Sequence, residues 1–351
     1  MLVPPPSIPR RRTARLAAAL ASFMVLRAHC ALAGTPLDPA ELRQSLFGTC
    51  LATPQDGWMV GELGRDFRTT DGGASWERQE TDTKRPFLTV SCVGPQQAWI
   101  AGKEGILYHT TDGGRTWQAV DSGSQRHVFT LAFADEQRGH GAGDFGTMIH
   151  TEDGGRTWTT ERVPPEIALP EEALDMGVEP GDVNLYAASY ADRDHVWVVG
   201  EFGTIMASTD GGRAWTQQHA PFESTLFGVY FADAERGWAV GIDAVIVHTT
   251  DGGRTWTPQP PPIRGRSFYD VVVRGDRGWI VGESGTLLTS ADGGATWQLV
   301  AVPIELAANW IRSVALTPAG HGLAGGADGL VFQLDGEQFK RFGARAAGAS
   351  S

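Results

Sequence analysis

The sequence predicts an all-β fold, a single seven-bladed propeller of four-stranded antiparallel blades, and three observations carry that expectation. First, the stretch Thr110-Thr111-Asp112-Gly113-Gly114-Arg115-Thr116-Trp117 recurs with few changes at Thr69 to Trp76, Thr151 to Trp158, Ser208 to Trp215, Thr249 to Trp256 and Ser290 to Trp297. Second, its aspartates at 71, 112, 153, 210, 251 and 292 are spaced by 41 residues with one interval of 57; a period of about 40–45 residues suits one four-stranded blade. Third, a worn copy runs from Ile311 through Asp335-Gly336 to Phe342, so that seven periods and 16 extra residues fill positions 41–343.

Within each repeat the residue types have local jobs. Asp-Gly-Gly between strand-like residues signals a tight hairpin, because glycine enters positive-φ positions that a side chain resists. The aspartate carboxylate accepts N–H groups across the same turn. At ~200 Å² per ring and ~25 cal/mol/Å², each of Trp76, Trp117, Trp158, Trp215, Trp256 and Trp297 is worth roughly 5 kcal/mol gross, against about 1 kcal/mol for a turn hydrogen bond. Packing wins, so Asp71, Asp112, Asp153, Asp210, Asp251 and Asp292 read as parts of a structural staple. The pattern Ser/Thr-x-Asp-x-Gly-x-Thr-Trp resembles the Asp-box, or bacterial neuraminidase repeat. That resemblance implies a fold element on the turn between a blade's third and fourth strands, away from any catalytic face.

Upstream of each box a strand ending in glycine returns, with tryptophan at 58, 99, 197, 238 and 279. Blade 3 has His140 there, read as a satisfied interior or inter-blade histidine. The long interval, about 161–184, holds four prolines around Ala173-Leu174-Asp175-Met176; it predicts an extended arm with one helical turn between blades 3 and 4. Both chain ends read as complete blades, so closure rests on packing between blades 1 and 7. Cys50 and Cys92 fall on the first strands of neighbouring blades, and a disulfide and two small buried residues are both open to them. No His/Cys cluster has metal-ligand spacing, and neither a metal nor a cofactor is expected.

Residues 1–33 carry arginines at 10, 11, 12, 15 and 27, no acids, an apolar run from Leu16 to Leu26 and then Ala31-Leu32-Ala33. That is a signal peptide cut near Ala33/Gly34, which predicts an exported, periplasmic protein with no membrane insertion after cleavage. The remaining propeller, 34–343, precedes a flexible tail at 344–351. Without the leader the chain has 24 basic against 41 acidic residues, which disfavours nucleic acid as a partner. A propeller leaves few free strand edges, so a monomer is expected.

Turns between second and third strands read Gly-Glu-Leu-Gly at 61, Gly-Asp-Phe-Gly at 143 and so on, placing Glu62, Glu104, Asp144, Glu201, Asp243, Glu283 and Asp328 on one face. Their repetition favours turn residues bonding their own backbone. Linkers on the same face set Arg85, Arg126, His127, Arg264, Arg266, Trp310 and Arg312 beside aromatic residues. Pairing with the acids and recognition of a partner polypeptide are both open to these arginines.

An exported propeller with Gly-x-x-Gly turns feeding Asp-Gly-Gly-x-Thr-Trp boxes resembles the photosystem II stability and assembly factor family and its bacterial relatives. The resemblance spans roughly residues 41–343. It implies a non-catalytic scaffold that binds a membrane-protein complex or its precursor through an arginine-bearing face. The alternative is a sialidase-like glycoside hydrolase. That chemistry needs an arginine triad, a Tyr/Glu pair and an acid/base aspartate. The chain has no Arg-Ile-Pro motif and five tyrosines, at 108, 186, 190, 230 and 269; Tyr269-Asp270 is the nearest approach to a reactive pair.

Overall fold

Each period folds into one antiparallel sheet whose four strands follow one another in chain order, and seven such sheets are present among the described residues of the computed structural model, 37–38, 42–164 and 166–343. The expected leader, its expected cleavage site and the expected tail lie outside those residues. Blade 1 is the template, with strands Leu46–Leu51, Gly57–Gly61, Asp66–Thr69 and Glu77–Gln79. First strands in the later blades are Phe87–Cys92, Val128–Phe133, Leu185–Tyr190, Leu226–Phe231, Phe268–Arg274 and Ile311–Leu316. These seven lie against one another around the axis.

The second strands are buried along their whole length in blades 1 to 5, as Gly57–Gly61, Ala98–Gly102, Gly139–Gly143, Val196–Gly200 and Gly237–Gly241. A strand inside a blade has a neighbouring blade on each face, so both sets of alternating side chains leave water. The apolar core is accordingly distributed between blades. Trp197 and Val199 of blade 4 pack with Phe231 and Trp256 of blade 5, and comparable clusters fill the other six interfaces. The second-strand tryptophans 58, 99, 197, 238 and 279 are buried to 5% exposure or less. Of the box tryptophans, 76, 256 and 297 are buried, while 117, 158 and 215 keep partial exposure. The staple reading therefore holds in full for three boxes, and the second-strand ring carries more of the core than the box does.

The ring closes without a shared strand, as expected. Leu42, Leu46 and Trp76 of the chain's start pack against Leu323 and Val331 of blade 7. Gln333 Nε2 donates to the Gly72 carbonyl at 2.8 Å, and the Thr49 and Ser313 hydroxyls meet at 2.7 Å. Cys50 and Cys92 are bonded, with Cα atoms 6.0 Å apart; this settles the open reading in favour of the disulfide. The arm between blades 3 and 4 contains one helical turn, Glu171–Asp175. Its Ile167, Ala173 and Val183 are buried with Met148, Val198 and Met206, so the arm is packed onto both blades. No helix among the described residues is long and apolar enough to cross a membrane.

Candidate partner-binding face

The face opposite the boxes is shaped by a bulge repeated in every blade. Pairing of first and second strands runs Leu46 to Gly61 and then Gly48 to Val60, which leaves Phe47 as the extra residue. The same shift occurs in the other six blades. A bulge re-aims a side chain, and here the seven extra residues, Phe47, Leu88, Phe129, Tyr186, Phe227, Tyr269 and Arg312, line the axial channel. Tyr186 stacks on Phe129 at 5.5 Å and meets Phe227 edge-on at 5.1 Å, and Phe227 meets Tyr269 at 5.6 Å. The cavity they enclose is about 170 Å³, below the ~300–1,000 Å³ of small-molecule sites. It accommodates a side chain, with the rest of a ligand outside on the face.

Charge enters this channel at one point. The Arg312 guanidinium lies 5.6 Å from the Tyr269 ring centre and donates from Nη1 to the Tyr269 carbonyl at 3.1 Å. Burial lowers its pKa, while Asp270, Tyr269 and Tyr186 oppose that shift. Water reaches part of the side chain, and so basic a group stays charged. Burial pushes the Asp270 carboxyl up to about 6, against N–H donation from Val314 and the charge of Arg312. Both Asp270 oxygens are occupied, Oδ1 by the N–H of Val271 and Oδ2 by that of Val314, each at 2.9 Å. The Tyr269-Asp270 pair thus lines the channel and ties blade 6 to blade 7.

Around the mouth, the predicted linker residues take different roles. Arg85 pairs with Glu104 at 2.8 Å, both more than half exposed. Arg126 lies 4.4 Å over the Phe145 ring. His127 accepts the Glu104 N–H at Nδ1 and stands 3.9 Å from Asp144. Arg266 is spent on the turn of its own blade, donating to the Ser284 carbonyl at 3.1 Å and to Thr286 Oγ1 at 3.3 Å. Arg264 is exposed. Trp310 stacks on Phe47 at 5.8 Å. The structure therefore leaves Arg85, Arg126 and Arg264 toward solvent, and holds Arg266 and Arg312 in place.

The turn acids divide as well. Glu62, Glu201 and Glu283 accept the linker N–H groups of Ser45, Asn184 and Ser267, the backbone role expected of them. Glu201 also accepts the Tyr186 hydroxyl at 3.1 Å, and burial followed by that carboxylate pushes the phenol up to about 12. Glu104, Asp243 and Asp328 instead occupy the left-handed position of the turn, at φ 57°, 57° and 51°. In blades 1 and 3 that position belongs to Leu63 and Phe145, which are 54% and 46% exposed. With Leu174, Met176 and Ile304, five of the six exposed large apolar side chains among the described residues belong to turns and linkers of this face. The charge-centred reading of the sequence missed them. An apolar residue inside Gly-x-x-Gly was the available signal, since the left-handed position there favours small polar types.

The box face is built as the repeat implied. Thr110 Oγ1 accepts the Gly114 N–H at 2.8 Å and donates to Asp112 Oδ1 at 2.9 Å, and Asp112 accepts the Thr116 N–H and hydroxyl. The other boxes repeat this, except that Ala214 in the fourth brings an N–H and no hydroxyl. Away from both faces' main features, the blade 3 sheet brings His140, His150 and Glu161 together. Linear spacing gave no sign of that cluster, because the three residues come from three adjacent strands.

Comparison with known proteins places this architecture. The family model described as Photosynthesis system II assembly factor YCF48 matches residues 40–126 and 213–335, more than half of the chain. The chain belongs to the YCF48 family. The unmatched middle holds blade 3, the arm and most of blade 4. Among solved structures, YCF48 bound to D1 peptide is 21% identical, with a TM-score of 0.67 over 84% of this chain and 94% of that one. YCF48 from Cyanidioschyzon merolae is 20% identical, with a TM-score of 0.67 over 84% of this chain and 96% of that one. The GH74 xyloglucanase from Xanthomonas campestris shares the fold at 14% identity and a TM-score of 0.66, over 85% of this chain, which spans 52% of that enzyme. No curated protein matches.

Proposed function

We propose that this YCF48-family chain is an exported, non-catalytic assembly factor that holds a segment of a membrane-protein complex, or of its precursor, on the face around the channel mouth. One observation supports the reading above others: exposed apolar side chains and solvent-facing arginines share that face, around a channel sized for a side chain. Exposed Phe145, Met176 and Ile304 offer apolar anchors, and Arg85, Arg126 and Arg264 offer guanidinium groups that grip carboxylates. The YCF48 structure with bound D1 peptide is a precedent for a polypeptide ligand on this fold.

A glycosidase needs two working carboxylates. Asp270 is the carboxylate among the described channel-lining residues, and both of its oxygens already receive backbone N–H groups. The test is capture from native membranes by the full-length tagged chain, with bound proteins identified by mass spectrometry. Replacement of Arg85, Arg126 and Arg264 together by Glu is expected to abolish recovery of one defined membrane complex while leaving the melting temperature unchanged. Undiminished recovery, or hydrolysis of a glycoside by the purified chain, overturns the proposal. Amino-terminal sequencing of the cell-envelope form checks export, with Gly34 as the expected first residue.

A further inference from the structure

Blade 3 departs from its neighbours where a second-strand tryptophan would stand. Trp58, Trp99, Trp197, Trp238 and Trp279 fill that position in five blades, and His140 fills it here. His140 pairs with His150 across the second and third strands. Glu161 lies on the fourth strand two residues beyond Thr159, the partner of His150. Alternation along a strand therefore puts all three on one side of the sheet. One donor atom from each lies within 4.8 Å of the other two.

The polar atoms of this group are left wanting. His150 Nδ1 and Glu161 Oε1 face each other at 3.5 Å, an ion-pair contact longer than a good hydrogen bond, and neither buried atom has any other hydrogen-bond partner. His140 is 2% exposed; its Nδ1 meets the Tyr190 hydroxyl, and its Nε2 lies against the backbone of Gly212 in the next box without a hydrogen bond of ordinary geometry. Two ligands of one tetrahedral ion, each about 2.1 Å from it, stand ~3.4 Å apart. The His150–Glu161 pair already has that spacing. Contact with the Tyr190 hydroxyl restrains the His140 ring as outer hydrogen bonds restrain ligating histidines. Arg138, a fixed cation acting on His140, is answered by Glu152 at 3.5 Å and Asp194 at 3.7 Å.

We propose that His140, His150 and Glu161 bind one divalent transition-metal ion of borderline softness, namely zinc, copper(II) or nickel. Two imidazole nitrogens and one carboxylate suit these ions better than magnesium or calcium, which take oxygen ligands, or copper(I), which takes sulfur. The ion would tie the last three strands of blade 3 together, between the box-face ends that carry His140 and His150 and the inner part of the fourth strand that carries Glu161.

The experiment uses full-length protein stripped with a chelator and titrated with zinc chloride, read by calorimetry and by melting temperature. One equivalent is expected to bind and to raise the melting temperature, because the folded state alone assembles the three ligands. His150→Ala and Glu161→Gln, at partly exposed positions, are each expected to weaken binding by more than about tenfold. His248→Ala is the control, since His248 stands opposite Trp238 as His150 stands opposite His140, and it is expected to bind zinc as the parent does. Absence of binding, binding unchanged in both site variants, or equal weakening in the control overturns the site. A Glu161→Gln variant that loses stability yet keeps its zinc affinity also overturns it, because that is the signature of a plain His150–Glu161 ion pair.

Discussion

A box aspartate does its work through hydrogen bonds that only its ionised form can accept in full. In the third, fifth and sixth boxes the hydroxyls of Thr157, Thr255 and Thr296, followed by the N–H groups of the same residues, pull Asp153, Asp251 and Asp292 from the ordinary 3.8 down to about 2. A carboxyl depressed in the folded state adds stability above its unfolded pKa and loses it as pH falls through the folded one. The contribution of these three carboxylates to the urea midpoint is therefore expected to hold down to about pH 4 and to be lost between there and about pH 2. Replacing all three aspartates by Asn should lower the midpoint at neutral pH and flatten that acid limb. Parallel curves for parent and variant would show that these carboxylates do not anchor the turns. Such residue roles were legible in the sequence, because box chemistry is local: Thr, Asp, Gly and Thr act within a span of seven positions. The apolar exposure of Leu63 and Phe145 was marked by their place inside Gly-x-x-Gly alone, since polarity is a guide to surface only on average.

At the scale of the element, first strands face a problem that other strands do not. They lie beside their counterparts in neighbouring blades without belonging to the same sheet, so some other device must join them. Residues just after the bulge supply it. Thr89 Oγ1 accepts the Leu131 N–H, Thr130 Oγ1 accepts that of Ala188, and Asp270 accepts that of Val314. Between blades 5 and 6 the same position is Gly228, and a Cβ built there would stand 2.8 Å from the Cα of Asp270. Glycine at this point allows the two backbones to touch. Gly228→Ala must push blades 5 and 6 apart at the axis and is expected to cost about 1–3 kcal/mol, measured by urea unfolding. An unchanged midpoint would mean that the close approach carries no packing energy. Strand order and blade number followed from the period, whereas the bulges did not, because an extra residue that keeps the apolar alternation on either side leaves no local mark.

For the whole molecule, the seven junctions are chemically alike and topologically unequal. A side-chain amide from one blade to the next box recurs around the ring: Gln79 to Gly113, Gln218 to Gly252, Gln259 to Gly294 and Gln333 to Gly72. Six junctions are also crossed by the chain, so breaking such a contact there leaves the blades tethered. The seventh, between blades 7 and 1, is held by non-covalent contacts alone, with His321 joining Gln333 at the Gly72 carbonyl. Blade 1 is further pinned to blade 2 by the Cys50–Cys92 bond, whose separation of 42 residues corresponds to about 4 kcal/mol in the chain-entropy picture. Opening at the seam should therefore free blade 7 and leave blade 1 attached. In a His321→Ala, Gln333→Ala double variant, native-state hydrogen exchange is expected to quicken in Ile311–Leu316 and His321–Gly326 well before Leu46–Leu51, with blades 3 to 5 unchanged. Gln259→Ala removes a similar contact at a tethered junction and should leave exchange in blade 7 as it was. Reduction of the disulfide in the double variant should then bring Leu46–Leu51 to the faster rate. Equal exchange in blades 1 and 7 before reduction would show that the ring opens elsewhere and that the seam is not its weakest joint.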